Sequence, residues 1–152
     1  MNFYRRGSHT IYDCRYHIVW ITKYRKKWLH KKLQPILEWI LKDICEDLYI
    51  KVIRIWMEED HVHMYVSIPL ETGHIPEVIQ KLKWQSSKKL WELEWMDRYF
   101  KKFYWKDWIW RRARWYFVCT IWEVNDETIK KYVEEQWIVE ENEELMSKSP
   151  QL

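Results

Sequence analysis

Apolar positions recur along this chain with two different periods, and the switches between them mark its elements. Residues 11–22 alternate and are rich in Ile, Tyr, Val and Trp, which predicts a first strand. From Leu33 the spacing becomes helical: Leu33, Ile36, Leu37, Ile40, Leu41, Ile44, Cys45 and Leu48 share one stripe, with Pro35 tolerated in the first turn. Residues 50–57 and 61–68 read as two strands joined by the acidic turn Glu58-Glu59-Asp60, and Pro69 closes the second. A loop containing Gly73 leads to a second helix that starts near Pro76 and runs through Val78, Ile79, Leu82 and Leu90. Residues 94–114 are rich in Trp and Arg and keep neither period. Residues 115–121 read as a fourth strand. A last helix follows, capped by Asn125 or Asp126, with Glu127 in its first turn and Ile129 and Val133 on its buried stripe. The order β-α-β-β-α-β-α predicts an α+β fold, a ferredoxin-like antiparallel sheet with helices on one face. Trp20 and Trp39 are expected in its core.

Composition narrows the class. A chain of 152 residues can form one domain with a substantial core, and 47% hydrophobic beside 32% charged residues fits a soluble globular protein. No run approaches the roughly 18 apolar residues of a membrane span, and no apolar segment follows Met1-Asn2-Phe3-Tyr4-Arg5-Arg6 as a signal peptide would require. Cys14, Cys45 and Cys119 are too scattered for a disulfide framework or a zinc site, so a reducing cytoplasm is expected. The charge is asymmetric. Residues 134–152 hold six Glu against Lys148, a net −5, while the whole chain carries +3, which leaves +8 on residues 1–133. A basic body with an acidic tail fits a nucleic-acid partner. A single domain over residues 1–137 and a disordered acidic tail over 138–152 are expected.

Two segments carry candidate chemistry. In Glu59-Asp60-His61-Val62-His63-Met64-Tyr65-Val66, residues two apart on a strand face the same way, so His61 and His63 lie side by side. That pair suits a shared metal ion or a shared phosphate, although a His-x-His on a strand is more often incidental. Asp60 can orient an imidazole or cap the turn, and the sequence leaves these two roles open. On the last helix Tyr132 and Gln136 are four apart and share one face. A phenol is a nucleophile of modest reactivity, and an amide oxygen is a hard, neutral ligand for a magnesium-type cation.

Together these segments carry a resemblance. Tyr16-His17-Ile18-Val19-Trp20-Ile21-Thr22-Lys23-Tyr24-Arg25, Asp60-His61-Val62-His63, Leu82-Lys83-Trp84-Gln85-Ser86-Ser87, Arg114-Trp115-Tyr116-Phe117-Val118 and Tyr132-x-x-x-Gln136 occur in that order. Their order and spacing resemble the single-tyrosine HUH transposases of small bacterial and archaeal insertion sequences, over nearly the whole chain from Tyr4 to Gln136. The resemblance implies a metal-dependent enzyme that cleaves and rejoins single-stranded DNA through a 5′-phosphotyrosine and recognises hairpin ends of a mobile element. It implies Tyr132 as nucleophile, His61, His63 and Gln136 as ligands of Mg²⁺ or Mn²⁺, and a homodimer in which the Tyr132 helix can complete the partner's site. The same chemistry in a relative that processes repetitive palindromes is one alternative. A ferredoxin-like module that only binds nucleic acid is another, and intact Tyr132 and Gln136 argue against it.

Single-stranded DNA needs a positive groove and flat aromatic surfaces. Three clusters qualify: Lys23, Tyr24 and Arg25 with Lys26 and Lys27; Lys83, Ser86 and Ser87 with Lys88 and Lys89; and Arg114 with Arg111, Arg112, Trp108 and Trp110. His9, His17, His30 and His74 lack comparable partners and are read as structural or exposed. The chain also holds 13 Trp beside 2 Gly. Trp84, Trp115 and Trp122 stand where the resembled family has Gly, the residue of left-handed backbone and close approach. Either the chain is a genuine Trp-rich variant, or these positions are Gly in an organism that reads UGA as glycine.

Overall fold

The computed structural model describes residues 5–102 and 115–120. The expected Tyr132 helix, Gln136, Arg114, Trp122 and the acidic tail lie outside the described residues. Strands β1 (Arg5–Arg6), β2 (Ile11–Tyr12) and β3 (Arg15–Ile21) come first, then α1 (Gln34–Asp47), β4 (Lys51–Met57) and β5 (His61–Ser67). Helices α2 (Ile75–Trp91) and α3 (Met96–Phe100) and strand β6 (Phe117–Thr120) follow. The main sheet runs β4-β5-β3-β6 with every neighbour antiparallel. This is the strand order of the expected α+β, ferredoxin-like fold.

Strand alternation divides the sheet into two faces. Ile18, Trp20, Val62, Met64 and Val66 face one way and join Leu37, Ile40, Leu41 and Ile44 of α1 and Val78, Ile79, Leu82 and Leu90 of α2 in one buried cluster. Each such aliphatic side chain contributes about 1.5–3 kcal/mol by burial. His17, Val19, Ile21, His61 and His63 alternate with these residues and take the other face. Trp20 is in the core as expected, but Trp39 is 66% exposed. At about 100° per residue it lies roughly 200° around α1 from Leu37, so the stripe that buries Leu37, Ile40 and Ile44 turns Trp39 to solvent.

Two local features depart from the simple alternation. The strand expected over residues 11–22 breaks at Asp13-Cys14, and its first part pairs with β1 as a separate hairpin. Asp13 holds Arg15 through two hydrogen bonds of 2.7 and 2.6 Å. Arg5 ties the hairpin down by donating to Ser67 Oγ at 3.2 Å and to the Tyr49 carbonyl at 3.0 Å. The second feature is a bulge in β4, where the register shifts between Val52 and Arg54. The extra residue moves the strand by one position and so exchanges its faces. Beyond the bulge Arg54 stands opposite Tyr65 and Trp56 opposite His63. The bulge therefore delivers an indole to the histidine face.

Helix α1 ends in a Schellman motif: Ile50 N donates to the Cys45 carbonyl at 2.8 Å and Tyr49 N to the Glu46 carbonyl at 3.0 Å. The motif requires a left-handed residue, and Tyr49 supplies it at φ 55° with its side chain 81% exposed. A non-glycine residue there costs roughly 1–2 kcal/mol. Tyr49→Gly should relieve part of that cost while keeping the backbone acceptor of Arg5. We expect a gain of about 1 kcal/mol, seen in thermal unfolding as a rise of about 2–4 °C. An unchanged or lower midpoint would show that the Tyr49 ring contributes more than its exposure indicates.

Candidate functional site

His61 and His63 stand side by side on β5, with ring centroids 4.7 Å apart and planes at 64°. Each imidazole has its Nδ1 edge occupied by a different kind of neighbour. His61 Nδ1 is 2.6 Å from Asp60 Oδ1. His63 Nδ1 is 3.1 Å from His17 Nε2. The ring edge carrying Nε2 is the one left to each imidazole for a ligand. Of the two roles open to Asp60, the structure shows its carboxylate on His61.

Asp60 is itself anchored from several directions. Arg25 Nε donates to its second oxygen at 2.8 Å, and its backbone carbonyl accepts from Thr22 N at 2.8 Å and Thr22 Oγ1 at 3.2 Å. Burial alone would raise its carboxyl pKa. The hydrogen bonds from His61 and Arg25, with their charges, outweigh burial and hold it below the usual carboxylate value. The acid is thus ionised and acts as an acceptor for both neighbours.

His63 occupies a drier setting. Its ring lies 4.5 Å from Trp56 and nearly parallel to it, at 8°. Burial, and then the nearby His61 and His17, push its pKa down to about 3. It is therefore neutral at ordinary pH and keeps a lone pair available. His17, expected to be structural or exposed with no comparable partner, is instead fully buried against His63. Only the β3–β5 register, which places His17 opposite Tyr65 and one diagonal step from His63, reveals this.

The donor set fits a divalent ion in part. Two neighbouring imidazoles are good ligands for Mn²⁺ and similar ions. Among the described residues no group of three His, Cys, Asp or Glu could hold a metal ion. Gln136, the third expected ligand, lies outside the described residues.

The expected DNA-contact residues divide. Lys23, Tyr24 and Arg25 form a 3₁₀ turn directly after β3, with Tyr24 at φ 55° and Arg25 at φ 46°. Two consecutive left-handed residues without glycine are costly and persist only when neighbours hold them. The Arg25–Asp60 ion pair and the hydrogen bond of 2.8 Å from Thr22 Oγ1 to the Lys26 carbonyl provide that hold. Lys83 and Ser86 turn inward on α2. Lys83 Nζ donates to the Trp115 carbonyl at 3.1 Å, and Ser86 Oγ donates to the Lys83 carbonyl at 3.3 Å. Both are buried, while Ser87 is half-buried.

Trp84 and Trp115 do not occupy glycine-like backbone. Among the described residues only Tyr24, Arg25 and Tyr49 combine a positive φ with a side chain. Trp84 sits inside α2 and Trp115 just before β6, with 45% and 44% of their surfaces exposed. The conformational argument against Trp does not operate at either position.

Comparison with known proteins agrees with the fold and the order of motifs. The family model described as "Transposase IS200 like" matches residues 10–136. The chain is 28% identical over 132 residues to the ISDra2 transposase TnpA of Deinococcus radiodurans, covering 87% of this chain and 90% of that protein. It is 30% identical over 129 residues to the transposase for insertion sequence element IS200 of Salmonella typhimurium, covering 85% and 80%. A crystal structure of a Deinococcus radiodurans protein described as a transposase is similar with a TM-score of 0.76 at 25% identity, covering 87% of this chain and 97% of that one. The match runs from β2 through the Tyr132–Gln136 segment, and on that ground this chain belongs to the IS200-like transposase family.

Proposed function

We propose that this transposase cleaves and rejoins single-stranded DNA through a 5′-phosphotyrosine intermediate. In this reading Tyr132 is the nucleophile, and His61, His63 and Gln136 hold one Mg²⁺ or Mn²⁺. The observation that carries it is the paired imidazoles of β5, each with its Nδ1 edge engaged by a buried polar partner. That is how proteins commonly orient histidines toward a metal. A bound ion supplies charge neutralisation at the scissile phosphate.

The chain's own residues do the rest. Asp60 fixes the plane and tautomer of His61, and its charge is matched by Arg25, so it does not repel a phosphate. His63 needs no deprotonation at neutral pH. The Tyr132 oxygen forms a bond to phosphorus as the bond to the 3′ oxygen breaks, releasing a 3′ hydroxyl. A phenol with an ordinary pKa of about 10 must lose its proton on the way. Because the phosphodiester is exchanged for a phosphotyrosine, a later 3′ hydroxyl can reverse the step without an external energy source. Lys23, Tyr24 and Arg25 contact the DNA in this reading, supported by Arg25, which adjoins the histidine face through Asp60. The DNA is a single strand with a hairpin, and the working unit is a homodimer.

A labelled single-stranded hairpin incubated with the protein and Mg²⁺ or Mn²⁺ should give a covalent protein–DNA band on a denaturing gel. Tyr132→Phe should lose that band and keep DNA binding. His61→Ala and His63→Ala should each lose it, and Gln136→Ala should reduce it less. An adduct in the Phe variant, or full activity in chelator, would refute the assignment.

Sedimentation reports the dimer, and mixing reports how its sites are built. If Tyr132 acts on the partner's site, Tyr132→Phe mixed with the His61→Ala/His63→Ala double variant regains cleavage. No recovery from exchanged, mixed dimers would place each Tyr132 on its own chain's site.

The depressed pKa of His63 has a consequence for stability. The group is neutral in the fold down to about 3, whereas the unfolded chain protonates it near 6.5. The unfolded state therefore binds more protons across that window, and stability is lost as pH falls from 6.5 toward 3. In metal-free protein, chemical unfolding at a series of pH values should show this slope, flattened in His63→Phe. An equal slope in both proteins would count against the shift.

A further inference from the structure

His17 is fully buried. It lies on β3 with its Nε2 3.1 Å from His63 Nδ1. A neutral imidazole has one donor nitrogen and one acceptor nitrogen, so only one of this pair carries the shared proton. The choice decides what His63 can bind. Were His17 the donor, the proton of neutral His63 would sit on Nε2, leaving no lone pair there for an ion. With His63 donating from Nδ1, its Nε2 presents that lone pair.

We propose that His17 is a positioning residue: its Nε2 accepts the Nδ1–H of His63 and holds His63 in the tautomer whose Nε2 ligates the divalent ion. This rests on the metal site proposed above and adds a residue to it. Asp60 does the same for His61, accepting at 2.6 Å with a carboxylate that can only accept. Where β3 and β5 bury the pair, a second carboxylate would need its own counter-charge, and a neutral imidazole accepts without one. The ring of His17 is also clamped. It stacks on Trp56 at 5.4 Å and 30° and on His63 at 5.3 Å and 24°, and tilts against Tyr65 at 4.4 Å. A Phe could fill that space and keep those contacts, but only a residue with an acceptor at the Nε2 position selects a tautomer.

The test separates tautomer from metal, on the full chain without DNA. Nitrogen NMR of the histidine side chains in metal-free protein should place the His63 proton on Nδ1. Titration with Mn²⁺, followed by electron paramagnetic resonance, should show His17→Phe binding about 10–100-fold more weakly than wild type. His17→Gln, whose amide oxygen can reach the same place, should bind more tightly than the Phe variant. A His63 proton on Nε2, or wild-type Mn²⁺ affinity in His17→Phe, overturns the proposal. Should the Phe variant fail to fold, the tautomer in the wild-type protein and the affinity of the Gln variant still decide. Wild-type Mn²⁺ binding that persists in His61→Ala/His63→Ala would instead sink the metal site itself, a result distinct from either tautomer outcome.

Discussion

The site hangs on one buried carboxylate. Asp60 accepts from Arg25 on one oxygen and contacts His61 on the other, while its carbonyl receives Thr22. Three segments meet there: the end of β3, the left-handed turn Lys23–Arg25 and the start of β5. A buried charge of this kind is weak evidence for net stability, because desolvation offsets most of the Coulombic gain. Its worth lies in what happens when a partner is missing. Removing one side of such a pair leaves an uncompensated charge and typically costs about 3–5 kcal/mol. The arrangement therefore fixes geometry more than it adds stability, and the geometry it fixes is the plane of His61 and the strained backbone beside it. Because the folded carboxyl sits below its ordinary pKa, its stabilising contribution is complete above the unfolded value and fades as pH falls through the lower folded one.

The two imidazoles reach a similar state by different routes. His61 sits at the mouth of β5, oriented by a charged acceptor and still partly exposed. His63 lies deeper, held between a parallel indole and another histidine. The second arrangement depends on the β4 bulge. In an unbroken register Trp56 would turn toward the helices, and His63 would lose the ring that covers it. A backbone irregularity in an edge strand is thus coupled to the packing of a histidine on the neighbouring strand.

The sequence carried the periodic part of this structure. The β-α-β-β-α-β order, the α1 stripe and the shared face of His61 and His63 follow from spacing alone, because each needs only local geometry. What it hid is non-local. The partnership of His17 with His63 spans 46 residues and exists only once β3 and β5 are in register. The inward turn of Lys83 could not be read from a basic run on a helix, since it depends on the Trp115 carbonyl 32 residues on. Trp39 shows the reverse error. A large aromatic near a helical stripe is easily assigned to the core, and the angular position around α1 overrides its hydrophobicity. The bulge and the β1–β2 hairpin left no periodic trace.

The basic side chains of α2 and of the turn after β3 sit in different settings. Lys83 gives one of its three ammonium donors to the Trp115 carbonyl and is held inward on α2. The Lys23–Arg25 turn is placed differently, with Arg25 28% exposed at its side chain and adjoining the histidine face through Asp60. Giving Nε to Asp60 uses one of five guanidinium donors. The same side chain can thus neutralise the carboxylate beside His61 and keep further N–H groups for other acceptors. The left-handed backbone at Tyr24 and Arg25 and the Arg25–Asp60 ion pair fall in the same turn, so the strained backbone and the fixed charge sit together beside His61.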